Sequence, residues 1–179
     1  MKTTFYPLLL TAALCFGLLS CVRSSDDGRT GYVKVGDQIP TFTVYDDDGN
    51  AFSSSEFTGK RSLLFLFDVT CEQCRKKFEE IQTVWDTLKD STGNYRIVAI
   101  SRGSGGKTRV EDIVNVNKYW SDNNLTFPKY FDEDRKVYGL FAEMWVPRIY
   151  IINKQGIVKW LSVEEINTAN ELLDKINSL

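Results

Sequence analysis

Histidine is absent from all 179 residues, which excludes Ser-His and Cys-His nucleophilic catalysis and any histidine-ligated metal. No charge of one sign dominates either: 22 basic residues against 24 acidic ones leave a formal charge of -2, so there is no basic footprint for nucleic acid. The apolar run Leu8 to Leu19 is twelve residues, too short to cross a bilayer as a helix. No internal repeat or low-complexity tract is visible. Cysteine is sparse. Of the four, Cys15 and Cys21 lie in the N-terminal leader, so the rest of the chain carries one pair, Cys71 and Cys74. Chemistry must therefore rest on cysteine, carboxylate, lysine, tyrosine or backbone. The 42% hydrophobic and 13% aromatic content suffices for one core of ordinary size, hence one domain.

The pair sits where a buried strand meets a helix. Leu63 to Phe67 is a continuous apolar run suited to a strand covered on both faces. Thr70 and Gln73 then have the spacing of a helix capping box, and Cys74, Phe78, Ile81, Trp85 and Leu88 recur at steps of four and three. That stripe puts Cys74 in phase with the core. Cys71 falls in the first turn, where unpaired N-H groups and the positive end of the helix dipole favour a thiolate. The two thiols thus differ in kind, with Cys71 the exposed attacker and Cys74 the sheltered resolver of a thiol-disulfide exchange. The redox group is the Cys71-Cys74 disulfide itself, with no separate cofactor and no metal. Glu72 competes with the thiolate for the same positive helix end. At about 7 Å its repulsion is worth roughly half to one pKa unit, which predicts a Cys71 that stays mainly protonated near neutral pH.

Taken in order, the chain opens with Lys2 and the Leu8-Leu19 run, which read as an export signal over residues 1-20. Leu18-Leu19-Ser20-Cys21 resembles the lipobox of bacterial lipoproteins, which implies cleavage before Cys21, lipidation of its thiol and attachment to a membrane. Residues 21-34 read as the lipidated Cys21 and a flexible tether. Ser24-Ser25-Asp26-Asp27 resembles the acidic segment of surface-exported lipoproteins of Bacteroidota-type bacteria. The expected location is the outer membrane, facing either the periplasm or the cell surface.

From residue 35 to 179 a single folded domain is expected. Phe42 to Tyr45, the turn Asp47-Asp48-Gly49-Asn50 and Ala51-Phe52 describe an N-terminal hairpin. Arg96 to Ile100 is a second strand, parallel to the first. The loop Arg102-Gly103-Ser104-Gly105-Gly106-Lys107-Thr108 lacks the Gly and Lys spacing of a phosphate-binding loop; Thr108 with Glu111 instead caps a helix expected to bury Val110, Ile113, Val114 and Trp120. Phe127 to Phe131 suggests a short strand or edge segment, and Asp134 to Phe141 a brief helix or turn. Trp145 to Ile152 reads as a proline-led strand, turned by Asn153 to Gly156 into Ile157-Trp160. Ser162 and Glu165 have capping spacing before a closing helix with the stripe Ile166, Ala169, Leu172, Leu173, Ile176 and Leu179.

This order, with Cys-x-x-Cys at the head of the first helix, resembles the thioredoxin fold, and 35-179 resembles the exported TlpA-like and ResA-like branch related to AhpC/TSA proteins. The matching motifs are Gly36-Asp37 with Pro40 and Phe42, the Asp48-Gly49 turn, Gly59-Lys60, Arg75 and Gly156. The resemblance implies an α/β thioredoxin-like fold: a central mixed sheet flanked by helices, an N-terminal β-hairpin extension and an insertion before the cis-proline strand. It implies a cis Val146-Pro147 bond against the dithiol, where the Val146 backbone pairs with substrate. The implied partners are protein disulfides or dithiols and an upstream redox partner in the cell envelope. Departures exist. Thr70 stands where the branch carries Trp, Glu72-Gln73 replaces Gly-Pro or Pro-Pro, and Phe65 occupies the usual buried carboxylate position. Asp68, three residues before Cys71, resembles the Asp of Bacteroidota-type relatives and is a candidate proton acceptor or a cap of its loop.

Three other readings compete. A peroxiredoxin-like thiol peroxidase shares the fold and hairpin but normally shows Pro-x-x-x-Thr-x-x-Cys, whereas Thr70 adjoins Cys71 here. A structural zinc pair needs a second chain for half its ligands. A lipoprotein binding module on a thioredoxin scaffold would keep the disulfide as a purely structural bond.

Overall fold

A computed structural model describes residues 31-103, 108-165 and 167-179. The lipobox with Cys21, the centre of the Gly-rich loop and Ile166 lie outside the described residues. Among the described residues four α-helices flank one mixed sheet. Its seven strands are β1 (Thr43-Tyr45), β2 (Ala51-Ser53), β3 (Arg61-Phe67), β4 (Tyr95-Ser101), β5 (Lys129-Phe131), β6 (Arg148-Ile152) and β7 (Val158-Val163), in the order β2-β1-β5-β4-β3-β6-β7. The helices are α1 (Glu72-Leu88), α2 (Arg109-Asp122), the short α3 (Tyr138-Phe141) and α4 (Ala169-Asn177). None of the described helices is long and apolar enough to cross a membrane.

The expected central strand is β3, buried from Ser62 to Phe67 because it runs parallel to β4 on one side and antiparallel to β6 on the other. Phe65 is opposite Ala99 in β4 and Ile149 in β6. Its alternate residues serve two half-cores. Phe65 and Phe67 stack with centroids 5.5 Å apart and meet Phe78 of α1 and Trp120 of α2. On the opposite face Phe42, Phe52, Phe57 and Phe141 make edge contacts under the N-terminal hairpin. Such ring pairs add about 0.5-1.5 kcal/mol each beyond the area they bury.

The structure corrects several expectations. Thr70 and Gln73 form no capping box: Cys71 is itself the N-cap of α1, with no side-chain cap bond. On α1 the buried stripe runs Cys74, Phe78, Ile81, Val84 and Leu88, and Trp85 is half-buried. The Thr108-Glu111 box does cap α2, but its phase differs from the expected one. Trp120 is buried as expected, but Val110 and Val114 are 69% and 62% exposed, and Asp112 and Val116 are buried in their place. β5 is no edge; it lies between β1 and β4. Ser162 belongs to β7, opposite Ile149, and the cap of α4 is Thr168 with Glu171. Of the expected tether, residues 31-34 belong to the packed domain: Tyr32 and Val33 donate their N-H groups to the Phe141 carbonyl at 2.7 and 3.3 Å, and Val33 is buried. The hairpin between β6 and β7 needs Gly156, whose φ of +79° suits glycine and where a Cβ would run into Gln38 Nε2.

Candidate active site

β3 and β4 end side by side at Phe67 and Ser101, and the turns that leave these two strand ends build the site. After β3 the chain turns through Asp68, Val69 and Thr70. The Asp68 carboxylate closes that turn, accepting the Thr70 N-H at 2.8 Å and the Thr70 hydroxyl at 2.7 Å, while the Asp68 carbonyl accepts the Cys71 N-H at 3.0 Å. This Asx-type turn delivers Cys71 to the N-terminus of α1. Arg75, one turn on, donates from Nε to the Val69 carbonyl at 2.8 Å and packs its guanidinium 5.6 Å from the Tyr119 ring.

Both cysteines are free thiols, Cys71 half-buried and Cys74 0% exposed. Cys74 Sγ accepts the Asp68 N-H at 3.5 Å. In its thiol form Cys71 Sγ donates to the Val146 carbonyl at 3.6 Å, across a gap of 75 residues in sequence, and the Val146-Pro147 peptide bond is cis. The environment splits the two acidities widely. Cys71 is brought from its ordinary 9.0 to about 6, because the Cys74 thiol donates to it and the N-H groups of Cys74 and Gln73 point at it; burial and the Asp68 charge oppose this. Cys74 is pushed far up, first by burial and then by its bond to Cys71.

Glu72 does not play the expected part. Its carboxylate is exposed and paired with Lys76 at 2.9 Å, a bond that holds its pKa below the usual glutamate value. The carboxylate that bears on Cys71 is Asp68, and the thiol is mostly ionised at neutral pH. The helix-end N-H groups and the Cys74 donor outweigh burial and the Asp68 charge.

The loop opposite the thiols contains groups that the sequence did not flag. Trp145 is held at φ +71°, a region that a bulky residue seldom enters. Its carbonyl receives the Tyr138 hydroxyl at 2.8 Å and Arg148 Nε at 3.0 Å, and Arg148 Nη2 donates to the Met144 carbonyl at 3.0 Å. Arg148 is 0% exposed at the head of β6, and Tyr138 is also buried. The backbone N-H groups of Val137 and Tyr138 are in turn held by the buried Asp132 carboxylate at 3.0 and 2.6 Å. The only sequence signal was the oddity of a charge, Arg148, between Pro147 and four apolar residues. The Thr70 hydroxyl is given to Asp68, which itself stands at the position three before Cys71 where a peroxidase carries its threonine. Among the described residues no group of three His, Cys, Asp or Glu side chains could hold a metal ion.

The AhpC/TSA family profile matches residues 35-161. The chain belongs to the AhpC/TSA family. The ResA thiol-disulfide oxidoreductase of Oceanobacillus iheyensis is 25% identical over 173 residues, which cover 94% of this chain and 81% of that protein. The solution structure of a candidate protein disulfide isomerase from Bacteroides thetaiotaomicron matches with TM-score 0.70 at 22% identity, over 83% of this chain and 89% of that one. A thioredoxin-family thiol:disulfide interchange protein from Chlorobium tepidum matches with TM-score 0.65 at 18% identity, over 80% and 95%. The solved structures share the expected thioredoxin-like α/β fold, and the family match together with the ResA relative supports a TlpA/ResA-like thiol-disulfide oxidoreductase.

Proposed function

We propose that the chain exchanges disulfides with protein substrates of the cell envelope through Cys71 and Cys74. One observation carries this: a thiol brought to about 6 at a helix N-terminus lies 3.6 Å from the Val146 carbonyl of a cis-proline loop, with a buried second thiol beside it. The Cys71 thiolate attacks a substrate disulfide, forming a mixed disulfide and releasing one substrate sulfur, which takes up a proton. Cys74 then gives up its proton and attacks the Cys71 sulfur. That forms the Cys71-Cys74 bond and releases the second substrate thiolate. Two electrons pass to the substrate. Run backward, the same steps oxidise a dithiol, and an upstream envelope redox partner resets the pair. Val146 and Pro147 receive the substrate backbone, and Asp68 is the candidate acceptor for the Cys74 proton.

Cys74→Ser should accumulate mixed disulfides through Cys71, while Cys71→Ser should not. Equal trapping by both variants, or by neither, would overturn the division of labour. The location is part of the same proposal. Residues 1-20 direct export, Cys21 carries the lipid, and the domain works at the outer membrane, facing the periplasm or the cell surface. Cys21→Ala should abolish acyl labelling and leave an unanchored or uncleaved protein; unchanged labelling would refute it.

A further inference from the structure

Arg102 follows β4, next to the dithiol but outside its loop. Its backbone N-H donates to the Phe67 carbonyl at 2.9 Å, which extends the β3-β4 pairing by one step. Its guanidinium reaches two ways. Nη2 lies 3.6 Å from Asp68 Oδ2, with the two side chains 22% and 7% exposed. The central carbon lies 5.4 Å from the Tyr138 ring centroid. Tyr138 donates its hydroxyl to Trp145, whose neighbour Val146 accepts from Cys71. The chain of contacts is closed: Cys74 to the Asp68 N-H, the Asp68 carboxylate to Arg102, Arg102 to Tyr138, Tyr138 to Trp145, Val146 to Cys71.

We propose that Arg102 is a positioning residue of the exchange reaction, clamping the Asp68 loop that presents the thiols to the Trp145-Val146-Pro147 loop that receives substrate. The proposal rests on the exchange function of Cys71 and Cys74. Each contact does one job. The ion pair offsets the Asp68 charge beside Cys71, and the cation's place over the Tyr138 ring steadies the tyrosine whose hydroxyl holds the left-handed Trp145, so that the Val146 backbone is ordered before substrate arrives. The ionic groups around Cys71 are Asp68, Glu72, Arg75 and Lys76 on its own segment, Arg102 after β4, and Arg135 and Arg148, which flank Tyr138 and the Trp145 carbonyl. Arg102 touches the Asp68 loop directly and reaches the Trp145 loop through Tyr138 of α3, whose hydroxyl holds the Trp145 carbonyl.

Lysine separates the two jobs, because it keeps the charge and loses the planar fork. Insulin as the protein disulfide, with dithiothreitol as reductant, gives KM and kcat; the rate of iodoacetamide alkylation against pH gives the Cys71 midpoint. Arg102→Gln should raise the midpoint by roughly half to one unit and KM by roughly three- to tenfold, with kcat little changed. Arg102→Lys should raise KM alone. Tyr138→Phe, which keeps the ring and loses the hydroxyl, should also raise KM alone. A folded Arg102→Gln with wild-type KM and midpoint overturns the proposal, and so does Arg102→Lys behaving as wild type in both. Should Arg102→Gln fail to fold, Arg102→Lys and Tyr138→Phe decide the matter on KM. A wild-type protein that exchanges no disulfide and traps no mixed disulfide as Cys74→Ser overturns the underlying function, whatever the Arg102 variants do.

Discussion

The reduction potential of the Cys71-Cys74 couple should change its pH slope near pH 6. Reducing the disulfide takes two electrons and, below the Cys71 midpoint of about 6, two protons. Above that midpoint Cys71 stays a thiolate and one proton suffices, because burial keeps Cys74 protonated throughout the neutral range. For a two-electron couple a tenfold change in equilibrium is about 30 mV, so the potential falls about 59 mV per pH unit below the midpoint and about 30 mV above it. From pH 5 to pH 8 the whole fall is about 120 mV, against about 177 mV for a thiol left at its ordinary value. The sign comes from linkage. The folded pKa of Cys71 lies below its unfolded value, so the reduced form gains stability as pH rises from about 6 toward 9.0 and loses it as pH falls through about 6. At pH 7 the gain is at most about 1.4 kcal/mol, and about half of that once solvent screens a half-buried thiolate, which raises the potential by roughly 15-30 mV. Equilibration in dithiothreitol and glutathione buffers at half-unit steps, read as the mass shift after alkylation, measures the curve. A single slope near 59 mV through pH 8 would refute the argument, since Cys71 would then have an ordinary acidity.

Two side-chain predictions complete the electrostatic picture. Glu72→Gln should move the Cys71 midpoint by less than about 0.3 unit, because the exposed carboxylate is already taken up by Lys76 and screened by solvent; a fall of a full unit in the alkylation profile would restore Glu72 as the tuning group. Asp68→Asn should lower the Cys71 midpoint, since the Asp68 charge opposes the thiolate, and should slow resolution of a preformed mixed disulfide in a single turnover. An unchanged resolution rate would leave Asp68 with loop capping alone.

The features legible in the sequence are those with a local period. The apolar run into Cys-x-x-Cys specified β3, α1 and the unequal burial of the two thiols, because strand and helix each repeat within a few residues. Phase failed where a competing pattern was equally good. Val110, Ile113 and Val114 have helical spacing, yet α2 turns on Trp120, which must fit among Phe67, Phe78 and Phe127; that choice buries Asp112 and exposes the two valines. Ser162 and Glu165 have capping spacing too. Pairing with β6 carries β7 on to Val163, so Ser162 stays in the sheet, and its hydroxyl bonds Asn167 at 2.6 Å. Lys77, the third cation in the run Arg75-Lys76-Lys77, carries no local sign of burial, yet α1 lies against α4, and its ammonium is covered and directed to the Asn167 carbonyl at 3.4 Å. The clamp through Arg102 was beyond reach in principle, since Asp68, Arg102, Tyr138 and Trp145 meet only through the sheet topology.

The split acidities also decide how a mixed disulfide ends. Bringing Cys71 from 9.0 to about 6 raises its thiolate fraction at pH 7 about 90-fold but costs about 20-fold in nucleophilicity, so its attack gains only about fourfold. The larger benefit comes when Cys71 leaves, because a low-pKa thiol is the better leaving group when a second substrate thiol reclaims the bond. Cys74 competes for the same intermediate and starts from a strongly raised pKa. Burial heads the causes of that rise, and it persists. The next cause is the bond to Cys71, joined by its charge, and both vanish once the Cys71 sulfur is tied to substrate. Cys74 therefore becomes more acidic only after the first step is complete, which keeps the resolving thiol silent in the free enzyme and releases it in the intermediate. The burial that remains delays its attack, and during that delay the ordered Val146 backbone must hold the substrate in place.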